Sequence, residues 1–274
     1  MNYWWDRKTL KLRAKNTLKT KYWWTLLALI IVGILGSDGG SSISSSFSSY
    51  YNNNNSLSNY SMGGEYYNTV LSVATAIALV LLAIGFLYST FIGNVISVGG
   101  YRFLCANTVE HNKPSLSHLF FGFKQGNYMN IVKAMFMRNL FVFLWSLLFV
   151  IPGIIKGYSY YMIPYIMAEN PRISWQRAFE ISKVTTRGEK WKIFVLGFSF
   201  IGWMFLASSF LCLALLPSHI FGLIIGLILY GLSMFALTPY IRATHAELYG
   251  ALRFKAAKCG YCSKDEIASE HFDF

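Results

Sequence analysis

The chain has 274 residues, of which 54% are hydrophobic and only 13% charged, against about 25% charged in an average soluble domain. That balance excludes the pair of ordinary soluble domains that length alone would allow. The formal net charge is +12. Because the charges gather between long uncharged stretches, a basic surface facing anionic lipid accounts for them without any nucleic acid.

Crossing a hydrocarbon core takes about 20 apolar residues in a helix, and the chain divides on that measure. Residues 1–21 read as a basic amphipathic leader, with Leu10, Ala14 and Leu18 at helical spacing. Residues 22–36 are apolar behind Tyr22-Trp23-Trp24 and read as an uncleaved first span, since the leader is long and no small-x-small cleavage site follows. Residues 37–69 are rich in Ser, Asn, Gly and Tyr, and read as a flexible extracellular loop. Its Asn54-Asn55-Ser56 and Asn59-Tyr60-Ser61 match the glycosylation pattern, as an Asn/Ser tract does by chance.

Residues 70–98 carry no charge and form the second span, followed by an interfacial cytosolic segment over 99–138. Residues 139–168, with Pro152 and Pro164, are expected to fold as a hairpin holding the third and fourth spans. An amphipathic cytosolic helix over 169–192, a fifth span over 193–216, an outer turn at 217–219, a sixth span over 220–241 and a cytosolic tail over 242–274 complete the chain.

Basic residues stay on the cytoplasmic side of short loops. All 24 Lys and Arg residues except Lys156 fall in the leader, in 99–138, in 169–192 or in the tail, and the 37–69 loop has none. If 139–168 is a hairpin, those four groups share one face; if it is a single kinked span, two of them change sides. The expected fold is therefore all-α and polytopic, with six spans, or four plus a re-entrant hairpin. Amphipathic interfacial helices lie on the cytosolic side, both termini are cytosolic, and the plasma membrane is the expected location.

The cytosolic pieces echo one another. Asn112-Lys-Pro114-Ser115 leads through Leu116, Leu119, Phe120 and Phe123 to Gly126-Asn127-Tyr128. Asn170-Pro171-Arg172-Ile173-Ser174 leads through Ala178, Phe179 and Ile181 to Gly188-Glu189-Lys190-Trp191. Each reads as an interfacial amphipathic helix running through an aromatic into an apolar segment, the kind of unit from which internally repeated membrane folds are built.

The run Tyr158-Ser-Tyr160-Tyr161-Met-Ile-Pro164-Tyr165-Ile-Met-Ala-Glu169-Asn170-Pro171 resembles the hallmark of a bacterial membrane family common in Firmicutes, the domain of unknown function 975. Further matches are Ala178-Phe179-Glu180-Ile-Ser182-Lys183, Phe198-Ser199-Phe200-Ile-Gly202-Trp203 and Pro239-Tyr240-Ile-Arg-Ala-Thr244-His-Ala246-Glu247-Leu-Tyr249. The resemblance covers nearly the whole chain, least of all the Ser/Asn-rich loop. It implies a polytopic plasma-membrane protein and no particular activity.

Polar groups near membrane depth are the natural functional candidates. Tyr158, Tyr161 and Tyr165 fall at i, i+3 and i+7, on one helical face beside Pro164, and either line a polar cavity or form an interfacial packing face. Glu169 closes that segment, with Arg242 or Arg172 as its expected docking partner. His245 and Glu247 follow the last span. Cys259 and Cys262 form a lone Cys-x-x-Cys with only His271 near, too few ligands for a closed zinc site. No metal or cofactor is expected, nor is an enzyme, because the protease, hydrolase and nucleotide-binding signatures are missing. The expected role is an accessory, scaffold or envelope-associated component acting through anionic lipids, a protein partner or a second copy of itself. A small-solute or peptide transporter using the Tyr-rich hairpin is the alternative, and a lipid-modifying enzyme a third.

Overall fold

A computed structural model of the chain describes residues 5–36, 64–109, 115–124, 126–210, 212 and 219–267. Among them every regular element is helical. Residues 37–63 of the Ser/Asn-rich loop, both glycosylation patterns, Asn112, Pro114, most of the outer turn and His271 lie outside the described residues.

Helix α1 (Arg7–Leu35) starts at Asp6, whose carboxylate accepts the Lys8 backbone N–H at 3.2 Å. Its halves, Arg7–Lys19 and Lys21–Leu35, meet at 96°. Helix α2 (Gly64–Tyr88) begins before the expected span and passes through a π turn (Ser89–Gly93) into α3 (Asn94–Val109). The second span and the first part of the segment expected to lie on the interface after it, as far as Val109, are thus continuous helix. A 3-10 helix (Leu116–Phe123) leads to α4 (Tyr128–Leu148), α5 (Val150–Ser159) and α6 (Ile163–Glu169). Then come α7 (Trp175–Thr185), α8 (Lys190–Ser209), α9 (His219–Lys258) and the short α10 (Lys264–Ile267).

Four helices are long and apolar enough to cross a membrane: Val70–Thr108, Tyr128–Leu148, Lys190–Ser209 and Ile224–Lys258; the bent α1 makes a fifth if taken as one broken span. The expected fourth span is not one helix. Its arm is the 10-residue α5, about 15 Å long, then a turn at Tyr160–Met162, then the 7-residue α6. Pro164 lies in the first turn of α6, where its missing N–H costs nothing. Ser182 of α7 holds the break from outside, accepting the Met162 N–H at 3.2 Å and donating to the Ser159 carbonyl at 2.8 Å.

The core does not lie among the apolar spans. Val80, Leu82, Phe143, Leu147, Phe205 and Leu227 are exposed, as side chains facing lipid would be. Buried residues gather where the charges are, from α3, α4, α6, α7 and the second half of α9. The sequence echo is present in three dimensions. Gly126 and Gly188 have φ of +88° and +82° and each turns an interfacial helix into a long one, a conformation that costs a side chain energy. Ser115 and Ser174 cap the interfacial helices in the same way. Three segments return to the core, α3, α5–α6 and α9. Each packs on the next interfacial helix: α3 on the 3-10 helix, α6 on α7, and α9 back on α1. The first of these contacts is very close, because a Cβ on Gly99 would sit 1.9 Å from the Leu119 carbonyl oxygen.

Tyrosine hydroxyls pin the long helices through backbone carbonyls. Pro239 in α9 has no N–H for the carbonyl four residues back, and Tyr22 of α1 donates to that carbonyl, on Phe235, at 2.8 Å. Tyr128 donates to Phe91 in the π turn at 3.0 Å, and Tyr88 to Leu35 at the end of α1 at 2.9 Å. Tyr22→Phe should lower stability by about 1 kcal/mol, the worth of one hydrogen bond, read as a lower midpoint of thermal unfolding in detergent. Adding Pro239→Ala, which restores the missing N–H, should recover most of that loss; a double variant no better than the single one would remove this account.

Candidate functional site

Every residue of α6 is buried, so its side chains must find their polar partners inside the protein. Glu169, at its end, accepts from the Tyr249 hydroxyl at 2.5 Å and from the Arg253 guanidinium. Tyr249 and Arg253 lie one turn apart on α9. Burial raises the Glu169 carboxyl above its ordinary value, while the Arg253 charge and the Tyr249 hydroxyl oppose that rise. The expected partner was Arg242 or Arg172, and the structure corrects this. Arg242 donates instead to the Tyr101 hydroxyl at 3.4 Å, and Arg172 uses its backbone N–H on Asn170.

Around the carboxylate is a cluster of rings. Tyr165 stacks on Tyr249 with centroids 4.8 Å apart and planes at 16°, and meets Tyr101 at 4.6 Å. Tyr161 lies 5.7 Å from Tyr165, and its hydroxyl is 2.7 Å from His245 Nδ1. Arg102 of α3 donates to the Ala168 carbonyl at 2.8 Å and covers the Phe121 ring at 4.5 Å. One tyrosine from each returning segment, Tyr101, Tyr165 and Tyr249, therefore meets at the centre.

Of the expected residues, the structure brings together Tyr161, Tyr165, Glu169 and His245, with Arg242 reaching in through Tyr101. It separates two. Tyr158 faces α8, edge-on to Phe194 at 6.1 Å, because the Tyr160–Met162 turn breaks the helical spacing that placed the three tyrosines on one face. Glu247 turns to α1 and accepts from Thr17 at 3.4 Å. Sequence reasoning missed Arg253, Tyr101 and Arg102. The signal for the first was available, since His245, Tyr249 and Arg253 recur every four residues on one helix.

As far as Ile267, where the described residues end, the tail is docked on α7. Lys255 donates to the Thr185 and Arg187 carbonyls at 3.3 and 3.4 Å and pairs with Glu189 at 3.2 Å, so it closes the end of α7. Arg177 pairs with Glu266 at 2.9 Å. Cys262 is buried, which pushes its thiol up to about 11, whereas Cys259 is exposed. Among the described residues no three His, Cys, Asp or Glu side chains are placed to hold a metal ion.

Most of this cluster lies in one recognisable stretch. Residues 147–256 match the model of a family described as "Protein of unknown function (DUF975)". The four motifs that carried the resemblance all fall inside that stretch. The match therefore covers α5 to α9 and not nearly the whole chain, as the sequence reading had it. No curated protein and no solved structure matches this one.

The clamp on Glu169 has an energetic signature. Removing one partner of a buried, hydrogen-bonded pair strands the other and costs about 3–5 kcal/mol. Arg253→Met should therefore be strongly destabilising. Glu169→Leu in the same chain should recover a large part of the loss, both read from thermal unfolding of the purified protein. Equal destabilisation of the single and double variants would mean that the charge pair is not what holds α6 to α9.

Proposed function

We propose that this chain is a non-enzymatic component of the plasma membrane, a scaffold or accessory protein that acts through lipid and protein partners. One observation carries the reading. The Tyr-rich segment that would line a transport pathway is filled, with Tyr165 and Tyr249 buried against each other and the Glu169 carboxylate held by both a hydroxyl and a guanidinium. An acid so engaged has no room for a substrate beside it. The arrangement resembles the tie-point of a rigid body, to which apolar helices and a basic face are attached.

In the proposed topology both termini and the charged body face the cytosol. The helix Tyr128–Leu148 is long and apolar enough to cross, but Arg138 sits midway along it, and the uncharged arm from there to the break at Phe149 is about 15 Å, half the hydrocarbon thickness. That length supports a re-entrant hairpin over a full crossing.

Two experiments bear on this. Cys212 and Cys259 are both exposed, at opposite ends of the α8–α9 pair. A membrane-impermeant maleimide added to intact cells should label Cys212 and spare Cys259 until the cells are opened; labelling of Cys259 from outside would invert the topology. In proteoliposomes, Tyr161→Phe and Tyr165→Phe should leave solute flux at the background of empty vesicles, as should the unaltered chain. Flux in the unaltered chain that these variants abolish would replace the scaffold reading with transport through the hairpin.

A further inference from the structure

Tyr158 takes no part in the central cluster, and the surface it occupies has a chemistry of its own. Its ring meets Phe194 of α8 edge-on at 6.1 Å. Its hydroxyl faces Gly197, where a Cβ would find no neighbour from another element within 4 Å except that oxygen, at 3.9 Å. Along the same side of α8, Trp191, Phe194 and Phe198 form a ladder of rings with centroids 5.3 and 6.0 Å apart. Trp191 and Phe198 are 73% and 61% exposed. The ladder is therefore open along its length, and a chain laid on it displaces nothing from the core.

Three bases gather at the foot of the ladder. Lys190 is the first residue of α8, and Arg187 precedes it by three. Lys156 reaches over from α5, with its ammonium above the Trp145 ring at 4.5 Å, and its charge and that of Arg187 both bear on Lys190. Glu189, the nearest acid in the chain, turns the other way, to Lys192 and Lys255 at 3.0 and 3.2 Å. Among the described residues no carboxylate pairs with Lys156, Arg187 or Lys190. Nor does the helix favour them, since bases in its first turn face the positive end of its dipole. Like charges held together beside an apolar surface repel one another, and an anion among them relieves the repulsion.

We propose that this face of α5 and α8 binds one anionic phospholipid. Lys156, Arg187 and Lys190 surround the phosphate, the Tyr158 hydroxyl donates to an ester carbonyl, and the acyl chain lies along the rings to Phe198. A free phosphate satisfies the bases and leaves the rings uncovered; one lipid molecule meets both chemistries. The site deepens the function proposed above by placing its lipid partner, and depends on the proposed topology only for the leaflet.

The test uses the full chain, reconstituted with equal amounts of phosphatidylglycerol and phosphatidylcholine and taken into detergent, with native mass spectrometry counting the retained lipids. The unaltered protein should retain one phosphatidylglycerol in preference to phosphatidylcholine. Lys156→Gln and Lys190→Gln should each weaken that retention roughly fivefold. Lys8→Gln, which removes an exposed charge elsewhere, should leave it unchanged. Gly197→Leu keeps every base and puts a side chain where the acyl chain runs, so it should weaken retention as well. That position meets no packed neighbour, which keeps the test open if a lysine variant fails to fold. Equal retention of the two lipids, an equal loss in Lys8→Gln, or full retention in Gly197→Leu would each overturn the site. Release of the lipid by inorganic phosphate would assign the bases to a free anion instead. Solute flux or outside labelling of Cys259 would count against the scaffold reading or its topology and leave these retention ratios as they are.

Discussion

A carboxylate enclosed in a protein interior has to be met by charge and hydrogen bonds, and the fold is organised to meet Glu169. It ends a 7-residue helix that is buried along its whole length. A helix so short has little stability of its own, and its place is set by what it touches. Tyr249 and Arg253 reach it from α9. That is why α9 cannot stop where its apolar stretch stops, at Ile241, but continues without a break to Lys258, 40 residues in all, or about 60 Å. Roughly half of that length suffices to cross the hydrocarbon. The other half forms one wall of the core.

The same continuation supplies the remaining ties. Two residues beyond Arg253, Lys255 closes the end of α7 and pairs with Glu189, and α7 in turn sends Ser182 back to hold the break between α5 and α6. The α6–α7–α9 group is thus a closed set of polar contacts around an apolar centre. Lipid offers apolar spans no hydrophobic reason to prefer one another, so their arrangement has to be specified where they leave it. The exposed Val80, Phe205 and Leu227 belong to helices that are directed from that group, by close packing at residues such as Gly99 and by tyrosine hydroxyls on carbonyls.

Three of the long apolar helices, α2–α3, α8 and α9, were legible in the sequence because uncharged runs of that length have one physical explanation. The two echoed motifs lead into short helices, Leu116–Phe123 and Trp175–Thr185, and their glycines, Gly126 and Gly188, both have positive φ. The partner of Glu169 was not legible. Reading outward from a span end favours the nearest base, Arg242 or Arg172, whereas the pairing depends on how two helices cross, and that brings in Arg253. The tyrosine face failed for a related reason. Spacing predicts a face only within one helix, and Pro164, beside the expected face, lies in the first turn of a new helix after a turn that sends Tyr158 and Tyr161 different ways.

The order of contacts has a consequence that no single span carries. Each returning segment packs on the interfacial helix of the unit that follows it, and the last packs on the first. A head-to-tail contact of this kind either runs on into a filament or closes into a ring, depending on the rotation it imposes. Here it closes within one chain after three units, with Tyr101, Tyr165 and Tyr249 meeting where the three returning segments converge. Among the described residues only one of the three units places a carboxylate at that centre. Ala106-Asn107, Ala168-Glu169 and Ala246-Glu247 are comparable pairs on the three segments, yet Asn107 bonds Thr25 and Glu247 bonds Thr17, both on α1. The asymmetry follows from cost. A centre this enclosed can hold one acid matched by one base, and the other two positions turn outward to bind the helix that closes the ring.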